Sequence, residues 1–235
     1  MTLPGLIPTP GLLNAGTSIP PTFRYIGWSY ASGGNQGSFG VTLTDEEQSV
    51  ILLGGIASNG GGSAQWSSLS CGGVGGSAVA TGSRGLGTEY SSYYGIYVCN
   101  NVSSGSQTVS FNKSNSTGDY SSVCIAYAVS HAFDDVSATD SFITFGTSPS
   151  GSLDIEDGGI ACGFVLGREY NSRSLSYFTT QHSVEPAVHE PGMIGGIIAT
   201  TEDTTQSISA NAGSEALNIN LGGLLCVSWG KDKFA

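Results

Sequence analysis

"YSSVCIAYAVSHA", residues 120–132, decides the fold class by its alternation. Successive side chains of a strand point to opposite faces. Extended, this stretch puts Val123, Ile125, Tyr127 and Val129 on one face and the small Cys124, Ala126 and Ala128 on the other. The segments on either side follow the same rule. Upstream, "SQTVSFN" alternates through Val109 and Phe111. "TEYSSYYGIYVCN" (88–100) sends Tyr94, Ile96 and Val98 one way and Tyr93, Tyr97 and Cys99 the other. "SAQWSSLSCGG" brings Trp66 and Leu69 to a glycine-rich corner. "SVILLGGIA" (49–57) is apolar on both faces, as in a buried central strand. "SFGVTL" (38–43) puts Phe39, Val41 and Leu43 on one face, and "TFRYIGWSYA" (22–31) is aromatic and only partly alternating.

Downstream come "DSFITFG" and "GSLDIED", then "DGG" leading into "IACGFVLG" as a hairpin-like junction. "SLSYFTT", "MIGGIIATTE" and "TQSISAN" continue the pattern. The last segment is "ALNINLGGLLCVSWG", in which Leu217, Ile219 and Leu221 alternate. About thirteen strand-like segments result, separated by Gly, Ser, Asn or Asp turns at the spacing of an all-β sandwich. "TDEEQ" is either one helical turn, with Thr44 and Glu47 as a capping pair, or a plain loop. No repeat of fixed period is visible. The expected fold is an antiparallel β-sandwich of jelly-roll type over 22–235, preceded by an extended arm over 1–21.

Composition agrees with strands and turns. Gly accounts for 36 of 235 residues, roughly twice the usual share. Charged residues make up 11%, under half the usual share of about 25%. The net charge of −11 with only seven Lys and Arg argues against nucleic acid and anionic membranes, which require a basic footprint. No apolar run reaches the roughly 18 residues of a membrane span, and no secretory signal is visible. Cys71, Cys99, Cys124, Cys162 and Cys226 are odd in number and widely spaced, which predicts buried thiols and assembly in a reducing compartment.

Three groups of residues invite a chemical reading. His131 lies beside Asp134 and Asp135, and His182 and His189 flank Glu185 in "HSVEPAVHE". That stretch lacks the metal-binding helix pattern and contains Pro186, so it reads as a loop. Asp154, Glu156 and Asp157 in "DIEDGG" lack the spacing of a calcium loop and read as outward residues entering a turn. "GGVGGS" lacks the lysine of a phosphate-binding loop. The sequence therefore predicts no catalytic residue, no metal and no cofactor. Tyr90, Tyr93, Tyr97 and Tyr170 are the candidate ligand-facing aromatics, since rigid aromatic rings stack on sugars.

The order of segments resembles a β-sandwich domain met in tailed bacteriophages, prophages and gene transfer agents. The resemblance rests on "GWSYASGGNQGSFGVTLTDEEQSVILLGGIAS", "WSSLSCGGVGGSAVATG", "YYGIYVCNNVSSGSQTVSFNKS" (read as a hairpin), "SVCIAYAVSHAFDDVSATDS" and "GSLDIEDGGIACGFVLG". It covers about residues 22–230 and implies a non-enzymatic virion protein. Such a protein would be a head decoration, fibre or spike, or a tail fibre component, assembled in the host cytoplasm and displayed on the particle exterior. Its expected partners are other capsid or tail proteins and its own copies, a trimer first. The alternatives are a carbohydrate- or receptor-binding adhesion module for a host surface glycan, and a polysaccharide hydrolase.

Proline falls at 4, 8, 10, 20 and 21, which keeps the first segment out of a central sheet. Leu3, Leu6, Ile7, Leu12 and Leu13 are apolar with no place in the sandwich pattern, and are the expected anchoring residues. The expectation is that this arm lies in a groove of a neighbouring subunit.

Overall fold

A computed structural model describes residues 21–34, 36–58, 64–86, 90–114, 120–168, 173–184, 191–213 and 222–235. Leu3, Leu6, Ile7, Leu12, Leu13 and Tyr170 lie outside the described residues, as do Leu217, Ile219 and Leu221. The described chain is all-β. Its strands up to residue 129 are β1 (Phe23–Ser32), β2 (Gln36–Leu43), β3 (Ser49–Ser58), β4 (Trp66–Cys71), β5 (Val74–Gly75), β6 (Ser77–Leu86), β7 (Tyr90–Asn100), β8 (Gly105–Lys113) and β9 (Tyr120–Val129). They continue with β10 (Asp140–Phe145), β11 (Ser150–Ile155), β12 (Ile160–Arg168), β13 (Ser174–Leu175), β14 (Thr180–Val184), β15 (Pro191–Ala199), β16 (Thr204–Asn211) and β17 (Gly223–Trp229).

These strands form four antiparallel sheets, none closed into a barrel. The first inner sheet has the order β1-β9-β3-β7-β6, and β2-β8-β4-β5 is its outer partner. The second inner sheet has the order β10-β17-β12-β15-β14, with β11-β16-β13 as its outer partner. The two halves repeat one strand order. Relabelling β1, β9, β3, β7 and β6 as β10, β17, β12, β15 and β14 converts the first inner sheet into the second. The same relabelling turns β2, β8 and β4 into β11, β16 and β13. The register repeats as well: Gly54 pairs with Gly95 and Cys124, and Gly163 pairs with Gly196 and Cys226.

Alternation fixes the layers. Val123, Ile125, Tyr127 and Val129 pack with Ile51, Leu53 and Ile96, and meet Phe164, Met193, Ile197 and Leu225 of the second inner sheet. Cys124, Ala126, Ala128, Val50 and Leu52 face the other way, onto Val41, Leu43, Val109 and Phe111 of the first outer sheet. Val165, Ile194, Leu224 and Cys226 likewise face Leu153, Leu175 and Ile208 of the second outer sheet. The result is a four-layered stack with three apolar cores. The sequence suggests one sandwich, whereas the described strands build two that share their middle core.

Two expected hairpins are corners instead. β11 pairs with β16 while β12 pairs with β15 and β17, so "EDGG" carries the chain from an outer to an inner sheet. β7 and β8 also lie in different sheets, and Asn101 at φ 58 and Gly105 at φ 88 turn the chain between them. Alternation reads the same whether the next strand is a neighbour or lies across the core. One true two-residue hairpin joins β4 to β5, where Gly72 (φ 59) and Gly73 (φ 82) supply the two positive φ angles the turn requires. "TDEEQ" is a β-turn, closed by the Glu47 amide on the Thr44 carbonyl, and not a helical turn.

The link between the halves is pinned. Asn100 receives the Phe133 amide and donates to its carbonyl. The Trp229 indole donates to Val136 O, and Lys233 pairs with Asp135 at 2.7 Å.

Candidate functional site: an aromatic ridge on an edge strand

Strand β1 is the edge of the first inner sheet, and its register is broken once. Its pairing with β9 shifts between Tyr25 and Gly27, which leaves Ile26 as an extra residue in a bulge. Gly27 takes φ 149, a backbone favourable to glycine, and a Cβ there would lie 3.0 Å from the Phe39 ring. The bulge turns Ile26 into the outer core beside Phe39. It also restores Trp28 to the face that carries Tyr25. Phe23, Tyr25, Trp28 and Tyr30 then sit opposite Val129, Tyr127, Ile125 and Val123, all on the face toward the second inner sheet.

At that margin the second inner sheet ends in β14, and the ridge is only partly covered. The rings of Tyr25 and His182 stack with centroids 3.5 Å apart and 9° between planes. Tyr127 donates to the Gly195 carbonyl at 3.0 Å, and His182 Nδ1 lies 3.4 Å from the same phenolic oxygen. Burial lowers the His182 pKa and raises that of Tyr25, so both rings are favoured neutral. Tyr30 donates to Ser121 Oγ at 2.8 Å. Trp28 is 44% exposed, and Trp66 and Trp229 are buried at 8% and 0%. The margin thus presents an uncharged row of ring faces and edges. Such a surface suits apolar or ring-shaped ligands.

The tyrosines singled out by sequence are placed differently. Tyr97 is 8% exposed inside the first outer core, so its ring is packed and does not face a ligand. Tyr93 is half-buried against the same core. The Tyr90 side chain is outside the described set, as Tyr170 is. The structure does not bring Tyr93 and Tyr97 into one exposed patch. Sequence reasoning passed over Trp28; the signal available was the broken alternation of "FRYIGWSYA", where glycine interrupts an aromatic strand.

The other candidates are occupied locally. His131 Nδ1 lies 2.7 Å from Ser130 Oγ, and His189 is outside the described residues. Asp154 accepts from Thr205 Oγ1, Asp140 from the Asp154 amide and Asp203 from the Asp157 amide. With Glu156 and Lys231 these carboxylates line an open recess of about 500 Å³. Among the described residues no three His, Cys, Asp or Glu side chains converge as a metal-binding group. All five cysteines are buried, and burial pushes Cys71 up to about 11 and Cys99 up to about 12.

The outward faces of the stack are polar and nearly uncharged. Gln36, Ser38, Thr42, Ser106 and Thr108 are exposed on one outer sheet, and Ser150, Ser152, Thr205, Ser207 and Ser209 on the other. Comparison of the chain with protein-family models, with curated proteins and with solved structures found no match.

Proposed function

We propose that the chain is a non-enzymatic structural protein of a tailed phage or phage-like particle. It is an exterior decoration, fibre or spike attached through residues 1–21 and assembled as a symmetric oligomer, a trimer first. The observation that carries this reading is the doubled sandwich. One strand order used twice, with most large apolar side chains of the described residues spent on three cores, supports a rigid slab suited to load and repetition. In the second half the first, last, third and sixth strands share one sheet and the second, seventh and fourth the other, which supports a jelly-roll reading. The hydroxyl-rich outer faces support exposure to solvent on both sides. The resemblance of the segment order to phage β-sandwich domains supplies the setting.

The ridge favours a second reading, a carbohydrate- or receptor-binding adhesion module, because Trp28 offers an exposed ring for stacking. Density-gradient fractionation of particles, probed with an antibody against the chain, separates the two readings when paired with a glycan array. Co-migration with particles and no glycan signal supports the structural protein. Absence from particles together with a glycan hit abolished by Trp28→Ala supports the adhesion module.

A further inference from the structure

We propose that the aromatic ridge of β1 is the docking surface for residues 3–13 of a second copy of this chain. The inference rests on reading residues 1–21 as an anchoring arm, and it names the surface that receives it.

The ridge and the segment match in chemistry. Phe23, Tyr25, Trp28, Tyr30 and His182 form an uncharged aromatic row, with Trp28 the most exposed large apolar side chain described. The first twenty residues contain no Asp, Glu, Lys, Arg or His, and they carry Pro4, Pro8 and Pro10 among Leu3, Leu6, Ile7, Leu12 and Leu13. Proline-rich segments favour the polyproline II conformation, and grooves lined by aromatic rings recognise it because little entropy is lost on binding. The segment carries none of the charged residues behind the net charge of −11, so an acidic neighbour does not repel it.

The lengths also match. From Phe23 to Tyr30 the ridge runs about 23 Å at roughly 3.3 Å per strand residue. Residues 3–13 span about 31 Å at roughly 3.1 Å per residue, enough to cover it. Residues 14–20 leave about 22 Å of chain to bridge two copies.

The point of departure favours a second copy. The described chain begins at buried Pro21, and Thr22 is fixed to Ser130 by its amide and its carbonyl, at the Phe23 end of the ridge. To cover its own ridge the segment must reverse immediately before β1. Ile19 and Pro20 each precede a proline, which disfavours the helical backbone that a tight reversal uses. An arm passing straight on to a neighbour requires no reversal.

The test uses the full chain, a variant lacking residues 2–20, and a labelled peptide of residues 1–20. Trp28 dominates the quenchable fluorescence because the other two tryptophans are buried. The full chain is expected to be a multimer with Trp28 shielded from acrylamide. The deletion variant is expected to be a folded monomer with Trp28 quenched more strongly. The peptide should bind the deletion variant, with affinity falling roughly tenfold or more for Trp28→Ser, as for a central aromatic anchor. A peptide with Leu6, Ile7, Leu12 and Leu13 replaced by serine makes the same point without altering the folded protein, and should not bind. Unchanged quenching on deletion, or no change in peptide anisotropy up to about 1 mM, overturns the proposal. A full chain that is monomeric with Trp28 shielded places the segment on its own ridge and overturns the second-copy assignment. If docking holds but the chain is absent from particles, the function reading fails and this inference stands.

Discussion

Gly54, Gly95 and Cys124 lie side by side on adjoining strands, and Gly163, Gly196 and Cys226 repeat the arrangement in the second inner sheet. Their small size makes room for the Trp66 ring of the first outer sheet and the Phe178 ring of the segment between β13 and β14. A Cβ on Gly54 would lie 2.9 Å from Trp66 Nε1, and one on Gly163 would lie 2.5 Å from Cys226 Sγ and 3.2 Å from the Phe178 ring. Gly163→Val is therefore expected to destabilise the protein by about 1–3 kcal/mol or more through overpacking. Gly75→Ala, with nothing within 4 Å of its new Cβ, should stay within about 0.5 kcal/mol. Urea denaturation of the two variants checks both. His182 carries the pH dependence at this scale. Its folded pKa is lowered by burial from the ordinary 6.5, so its contribution is present above that value and lost as pH falls through the folded value. Melting temperatures taken between about pH 7.5 and 5 should fall more steeply for the parent protein than for His182→Gln. Equal slopes would contradict the stacked, neutral imidazole.

Strand β1 shows what one residue does to an element. Without the bulge, Tyr25 and Trp28 would point to opposite faces, since the side-chain period is two. Deleting Ile26 removes the extra residue and leaves Tyr25 opposite Tyr127 and Trp28 opposite Ile125, so it is expected to keep the acrylamide quenching of Trp28 and to cost about 1–3 kcal/mol for the lost Ile26 packing. Stronger quenching of Trp28 in that variant would show that Ile26 does more than fill the offset between Tyr25 and Gly27. The same element shows where sequence reading stops. The faces of 123–129, 94–99 and 39–43 were legible because alternation maps directly onto burial. The ridge was not, because the bulge is a break in alternation and "FRYIGWSYA" alone does not say which ring changes side. Tyr97 was misjudged for the opposite reason. Its face could be read from the strand, but not that β2, β8, β4 and β5 form a sheet that covers it.

The number of layers was also encoded, though less directly. In a two-sheet sandwich each strand buries one face, so a strand apolar on both faces requires a layer on either side. "SVILLGGIA", "IACGFVLG" and "LLCVSW" are such strands, and all three lie in inner sheets; "SFGVTL", "SQTVSF" and "TQSISA" alternate, and they lie in outer sheets. The repeat escaped notice because it is a repeat of strand order and register, with little of the sequence conserved between halves and loops of unequal length. Consecutive strands that cross between sheets further hide it, since sequence neighbours are not spatial neighbours. At this scale the molecule is a slab of two equivalent sandwiches joined through a common core, with an uncharged aromatic margin and polar outer faces. Electron cryo-microscopy of intact particles from the producing cells tests the assignment of that slab to a particle exterior. Four-layered density repeated symmetrically on the outside of the head or tail, joined to its neighbours by the chain before Pro21, is the expected result. Particles without that density, with the chain recovered as a monomer free of them, would contradict it.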